Sequence, residues 1–214
     1  MKKLLPLVLL TVAAVAQAQG VKGNVADGQK KIAMCIGCHG MPGYQATFPE
    51  VYKVPMISGQ NEKFIAAALM AYRKGERKHP TMRGVAESLS DQDIAELAKF
   101  YAAHGGAAAP PEQPAAPPAE VATLLQKGGC AACHGANYNK PIDGSYPKIA
   151  GQHADYLFFA LKAYKTEGNP KIGRANAIMA AQVKQFSPHE LKQMAGYIAS
   201  LPGELRTVPQ PAFK

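Results

Sequence analysis

One six-residue phrase occurs twice in this chain and takes up all of its cysteines. CIGCHG runs from Cys35 to Gly40 and CAACHG from Cys130 to Gly135, 95 positions later. C-x-x-C-H is the attachment signature of c-type haem. Two thiols on one helical turn reach the two vinyl groups of one porphyrin. The histidine that follows then lies beneath the iron as its proximal ligand. Cys35, Cys38 and His39 are therefore assigned to one haem, and Cys130, Cys133 and His134 to a second. Other uses of the cysteines fit less well. A thioredoxin-like pair calls for a strand-rich fold and leaves the histidine and the duplication unexplained. Zinc lacks an obvious ligand set in either half. A disulfide inside C-x-x-C would be strained and would staple nothing.

The rest of the sequence repeats around these phrases. PMISGQNEKF, Pro55 to Phe64, returns as PKIAGQHADY, Pro147 to Tyr156, and Tyr72 and Tyr164 keep the same offset of 92. From Met82 and from Met179 two further stretches match at an offset of 97. Landmarks in constant order with loops of changing length indicate a duplication that has drifted. Residues 104–119, rich in Ala and Pro, have little to bury and read as a semi-rigid spacer. The division is thus a leader at 1–18, a first unit at 19–103, the linker at 104–119 and a second unit at 120–214. The leader has Lys2 and Lys3, an apolar run and the small-residue site Ala16-Gln17-Ala18, which is the pattern of an exported protein. Its apolar run is short for a span. The composition, 18% charged and 47% apolar with a formal net charge of +9, is that of a globular chain. No Lys/Arg run interleaved with aromatics points to nucleic acid.

Periodicity points to an all-α fold. Ser90 to Asp93 and Ser187 to Glu190 read as capping boxes, the second with Pro188 at the first helical position. Behind them Ile94, Leu97, Ala98 and Tyr101 share one face, as do Leu191, Met194, Ala195 and Ile198. A middle helix is expected over 61–74 and over 153–166. A further helix should lead into each cysteine phrase, around 26–34 and 121–127. No alternating strand pattern is present. Units this small have thin cores, which a large apolar disc would fill.

The sixth ligand decides what such a haem does. Methionine opposite histidine marks electron carriers. Met82 and Met179 each stand eight residues before a capping serine, in what reads as a loop, and are the ligands expected from the repeat. Met41, Met56 and Met70 are the other methionines near the first site, and Met194 fits a packing role in the second. His79 is a rival to Met82; its counterpart Asn176 could not ligate. Pro55 and Pro147 are positioned to accept a hydrogen bond from the proximal histidines. Tyr72 and Tyr164 read as pocket packing, and His104, His153 and His189 as surface or linker residues. The basic stretch from Tyr72 to Arg83, with Arg73, Lys74, Arg77 and Lys78, reads either as a solvated loop or as a surface that steers an acidic partner.

Two CxxCHG motifs, two P-x-I-x-GQ segments, the approaches YRKGERKHPTM and YKTEGNPKIGRANAIM, and LSDQDIAELAKFYA with its second-half partner together resemble the class I c-type cytochromes. The nearer resemblance is to the di-haem cytochrome c4 family, over almost the whole chain after the leader. The resemblance implies two tandem cytochrome c domains with haems facing the region between them. It also implies a periplasmic electron carrier rather than an enzyme. Its partners would be a quinol-oxidising complex as donor and a terminal oxidase as acceptor, with peripheral membrane association and no nucleic acid. The alternatives are a cytochrome subunit of a larger oxidoreductase complex, or a di-haem redox enzyme. The latter would need an open iron position.

Overall fold

The computed structural model describes residues 21–106 and 109–209; the expected leader at 1–18 lies outside them. In the first half, α1 (Val25–Lys30) and α2 (Ala33–His39) come first. The two-residue strands β1 (Gln45–Ala46) and β2 (Tyr52–Lys53) follow, then α3 (Glu62–Lys74), β3 (Arg77–Lys78), α4 (Pro80–Glu87) and α5 (Asp91–Ala103). The second half repeats the plan with α6 (Ala119–Lys127), α7 (Cys130–His134), α8 (Ala154–Ala163), β4 (Gly173–Arg174), α9 (Ala177–Lys184) and α10 (Pro188–Ser200). The fold is all-α, with four two-residue strands among the described residues.

Both expected capping boxes are present. Ser90 Oγ accepts from the Asp93 N–H while the Asp93 carboxylate accepts from the Ser90 N–H, and Ser187 and Glu190 do the same. These caps aim α5 and α10 so that Ile94, Leu97 and Ala98, and Leu191 and Ala195, are almost wholly removed from solvent. The first and last helices of each half cross. α1 packs on α5 and α6 on α10, and each half has its own apolar cluster.

Two expectations change. The helix expected over 26–34 ends at Lys30, and a second begins at Ala33 to carry the first cysteine phrase. In the second half Gly129, at φ +57°, makes the equivalent break, a conformation that glycine adopts without strain. Met82 and Met179, expected in loops, are the third residues of the short helices α4 and α9.

The halves are joined by more than the chain. β3 pairs antiparallel with β4, setting Arg77 opposite Arg174. Gln60 Nε2 donates to the Lys148 carbonyl and its Oε1 accepts from the Lys148 N–H, both at 2.9 Å. Gln152 treats Met56 in the same way, at 2.8 and 3.0 Å. Tyr52 stacks on Phe159 with ring centroids 4.3 Å apart. Both glutamines are buried, so each bond is shielded from competing water. The stretch between the halves lies against the second: Tyr197 Oη donates to the Ala115 carbonyl, and Asn137 Nδ2 to that of Pro111.

Candidate functional site

Among the described residues each cysteine phrase opens on a large cavity, about 370 Å³ for the first and about 350 Å³ for the second. The first is lined by Cys35, Cys38, His39, Pro55 and Met82. The second is lined by Cys130, Cys133, His134, Pro147 and Met179. Every site residue expected from the repeat thus reaches the cavity of its own half. α2 and α7 bring the thiols and the histidine, the segment before α3 or α8 brings the proline, and α4 or α9 brings the methionine.

His39 Nδ1 lies 2.8 Å from the Pro55 carbonyl oxygen, and His134 Nδ1 lies 2.9 Å from that of Pro147. A carbonyl can only accept, so Nδ1 carries the proton and Nε2 keeps its lone pair. Burial holds both imidazoles below their ordinary pKa, against the opposing pull of the carbonyl, and keeps them neutral. A neutral imidazole with its tautomer fixed in this way is ready to ligate a metal through Nε2.

The thiols are equally informative. Burial pushes the Cys35 thiol up to about 11 and raises Cys130 as well. Reactive redox cysteines have depressed values, so a thioredoxin-like pair is disfavoured. Among the described residues no group of three or more His, Cys, Asp or Glu is placed to hold a bare metal ion. Two thiols, one oriented imidazole and a large apolar-walled cavity, present twice, fit covalently attached haem c.

The methionines are held in matching ways. His79 Nδ1 accepts from the Met82 N–H at 3.3 Å, and Asn176 Oδ1 accepts from the Met179 N–H at 2.9 Å. His79 and Asn176 therefore share a helix-capping role, although they differ in ligating power. His79 also has a backbone hydrogen bond to Phe48, and burial followed by the charge of Arg174 holds it below its ordinary pKa. Met34 and Met56 line the first cavity too, and Met194 the second. Met194 is deep in the apolar cluster. Met41 is 46% exposed, and Met70 packs on the first cluster.

The basic stretch ahead of Met82 is mostly committed inside the molecule. Arg73 bonds the Leu89 carbonyl and the Asp91 carboxylate. Lys78 donates to the Asn169 carbonyl across the seam. Arg83 pairs with Glu87. Arg77 is buried, with its guanidinium over the rings of Tyr72 and Phe64 at 5.0 and 5.7 Å. Arg174 takes the matching place over Tyr164 and Tyr156, at 5.3 and 5.5 Å. Tyr72 and Tyr164 are thus platforms for these arginines as well as packing. A sequence signal for the arginine pair existed: each stands five residues before its methionine, at the same offset of 97.

A sequence model described as Cytochrome c matches residues 118–202. Cytochrome c-554(548) of Halomonas halodenitrificans is 39% identical over 82 residues, covering 37% of this chain and 94% of that protein. Cytochrome c4 of Azotobacter vinelandii is 29% identical over 94% of this chain and 100% of its own length. The thiosulfate dehydrogenase electron acceptor of Stutzerimonas stutzeri (strain A1501) is 29% identical over 86% of this chain and 87% of its own. Among solved structures, reduced recombinant cytochrome c4 from Pseudomonas stutzeri superposes with a TM-score of 0.64 at 28% identity, over 84% of this chain and all of that one. The chain belongs to the cytochrome c family, within the di-haem cytochrome c4 group. It is a di-haem c-type electron-transfer cytochrome, carrying two covalent haem c groups.

Proposed function

We propose that the chain is an exported, periplasmic electron carrier made of two units, 19–103 and 120–214, joined by the linker at 104–119. Cys35 and Cys38, and Cys130 and Cys133, form the thioethers. His39 with Met82, and His134 with Met179, would ligate the iron, and Pro55 and Pro147 would orient the histidines. The duplicated cavity with one set of these residues in each half carries the reading. The bound iron supplies one-electron chemistry between the ferric and ferrous states. The chain's part would be to supply each iron with one imidazole and one thioether, exclude water with apolar walls and hold each imidazole in one tautomer. A thioether ligand favours the ferrous state. Filled axial positions suit a carrier, with a quinol-oxidising complex as donor and a terminal oxidase as acceptor, working at the membrane surface.

The test combines intact mass, which should equal the processed chain plus two haems, with the sulfur-to-iron absorption band. Met82→Ala and Met179→Ala should each remove half of that band and open one iron to carbon monoxide. A band undiminished in either variant refutes that ligand, with Met56, Met34 and His79 next to be tested in the first half. A second reading is an electron-accepting subunit that serves another oxidoreductase. The relative named for accepting electrons from thiosulfate dehydrogenase favours it. Co-purification of a dehydrogenase with the tagged chain from its own cells separates a subunit from a free carrier.

A further inference from the structure

The two cavities share a wall. Phe64, Ala68, Arg77 and Tyr156 line both of them, and Arg77 is the one charged side chain of the four. It is 9% exposed, and its Nε has no partner. Its ladder neighbour Arg174 lines the second cavity. Among the described residues neither arginine has a carboxylate partner within ion-pair distance. Glu76, next in sequence to Arg77, is exposed.

Two cations are thus placed side by side against aromatic faces. Arg174 donates to the Tyr156 hydroxyl at 3.1 Å, and the carboxylate of Glu76 lines the second cavity without an ion pair to either arginine. A buried charge is retained where it is paired or bonded, so the unmet demand points into the cavities. Each cavity takes a haem c group, and each such group brings two carboxylates.

We propose that Arg77 is a common counter-cation to the carboxylates of both haem groups, so that one side chain sets both redox sites. Arg174 supports it from the second half. The proposal rests on the haem reading above and adds the residue that couples the two sites. The direction of the effect follows from charge. Ferric iron carries one more positive charge than ferrous, so a nearby cation disfavours the oxidised form and raises the midpoint potential. Because Arg77 faces both cavities its removal lowers both potentials. Arg174 faces the second, so its removal lowers that one more.

The experiment is a spectroelectrochemical titration of the two-haem proteins R77Q, R77K and R174Q, with haem content and intact mass measured on the same samples. Both midpoints should fall in R77Q and largely recover in R77K, while R174Q shifts one more than the other. R77Q with two haems and wild-type midpoints, or with one midpoint moved alone, overturns the proposal. A wild-type chain without haem overturns instead the reading beneath it. Should R77Q mature without haem, the wild type still decides. Redox-difference infrared spectra of protein with ¹⁵N-labelled arginine should show an isotope-sensitive guanidinium band in both reduction steps. A band missing from either step overturns the proposal.

Discussion

The halves carry the same cofactor apparatus on differently built frames. In the first, α1 approaches α5 so closely that a Cβ on Gly28 would lie 2.3 Å from the Glu96 carbonyl oxygen. Lys31 then ties this crossing to Asp93 and Glu96. In the second, α6 meets α10 through Val121 and Leu125, side chains packed into the apolar cluster. That cluster reaches the cavity itself, since Cys130 and Met179 pack against it. Cys35 packs against the first cluster in the same way. One site can therefore be held equally by backbone proximity with surface charge or by apolar side chains. What the duplication preserved is the placement of thiols, imidazole, proline and methionine around a cavity.

The largest effect expected is from removing the thiols. C35A/C38A and C130A/C133A should each lower the intact mass by one haem. The loss of melting temperature should be greater for the second pair, because more of its core lines its cavity, including Val183, Phe186, Leu191 and Met194, than in the first half, where Ile65, Leu89, Leu97 and Tyr101 do. Equal losses would break the contrast. Next is Gly28→Ala. In an ordinary helix that change gains about 1 kcal/mol; here overpacking against backbone should reverse the sign and cost about 1–3 kcal/mol in denaturant unfolding. Gln60→Ala and Gln152→Ala should each cost about 1–3 kcal/mol, because each leaves two backbone groups across the seam unpaired. Unequal costs would show that one half dominates the contact.

The caps come after that. Asn176→Ala should cost about 1 kcal/mol, and His79→Ala less, its bond being longer at 3.3 Å against 2.9 Å. The smallest difference concerns acid. Hydrogen bonds from Lys31, and at Asp93 also from Ser90, hold the Asp93 and Glu96 carboxyls below their ordinary values of 3.8 and 4.5. For depressed carboxylates the stabilisation is complete above the ordinary value and disappears as pH falls through and below it. Hydrogen exchange from pH 5 to pH 3 should therefore loosen α1 and α5 before α6 and α10. The reverse order would refute the Lys31 bridge as the cause.

Much of this was legible in the sequence, because the strongest signals are local. Ser90, Asp93, Ser187 and Glu190 specify caps within four residues, and the apolar faces behind them repeat every helical turn. The CxxCH phrases and the P-x-I-x-GQ segments alone place the four cysteines, two histidines and two prolines that line the cavities. What escaped was short or non-local. Helices of eight residues behind His79 and Asn176 give too brief a periodicity, and histidine is an unusual cap. The two-residue strands β3 and β4 form only because the other half supplies the partner. For the same reason Arg77 reads as a surface charge: nothing within a window around it reveals that Tyr156 and Arg174 will cover it.

The reciprocal glutamine contact has a consequence of its own. Gln60 holds the backbone of Lys148, and Gln152 holds that of Met56, at equivalent positions of the repeat. A patch that binds its own equivalent is what two identical subunits present to each other across a twofold axis. The seam thus has the form of a homodimer interface enclosed within one chain. A short covalent tether raises the effective concentration of its two sides to the millimolar range. An association too weak for separate subunits then suffices, and each side is free to change without the other.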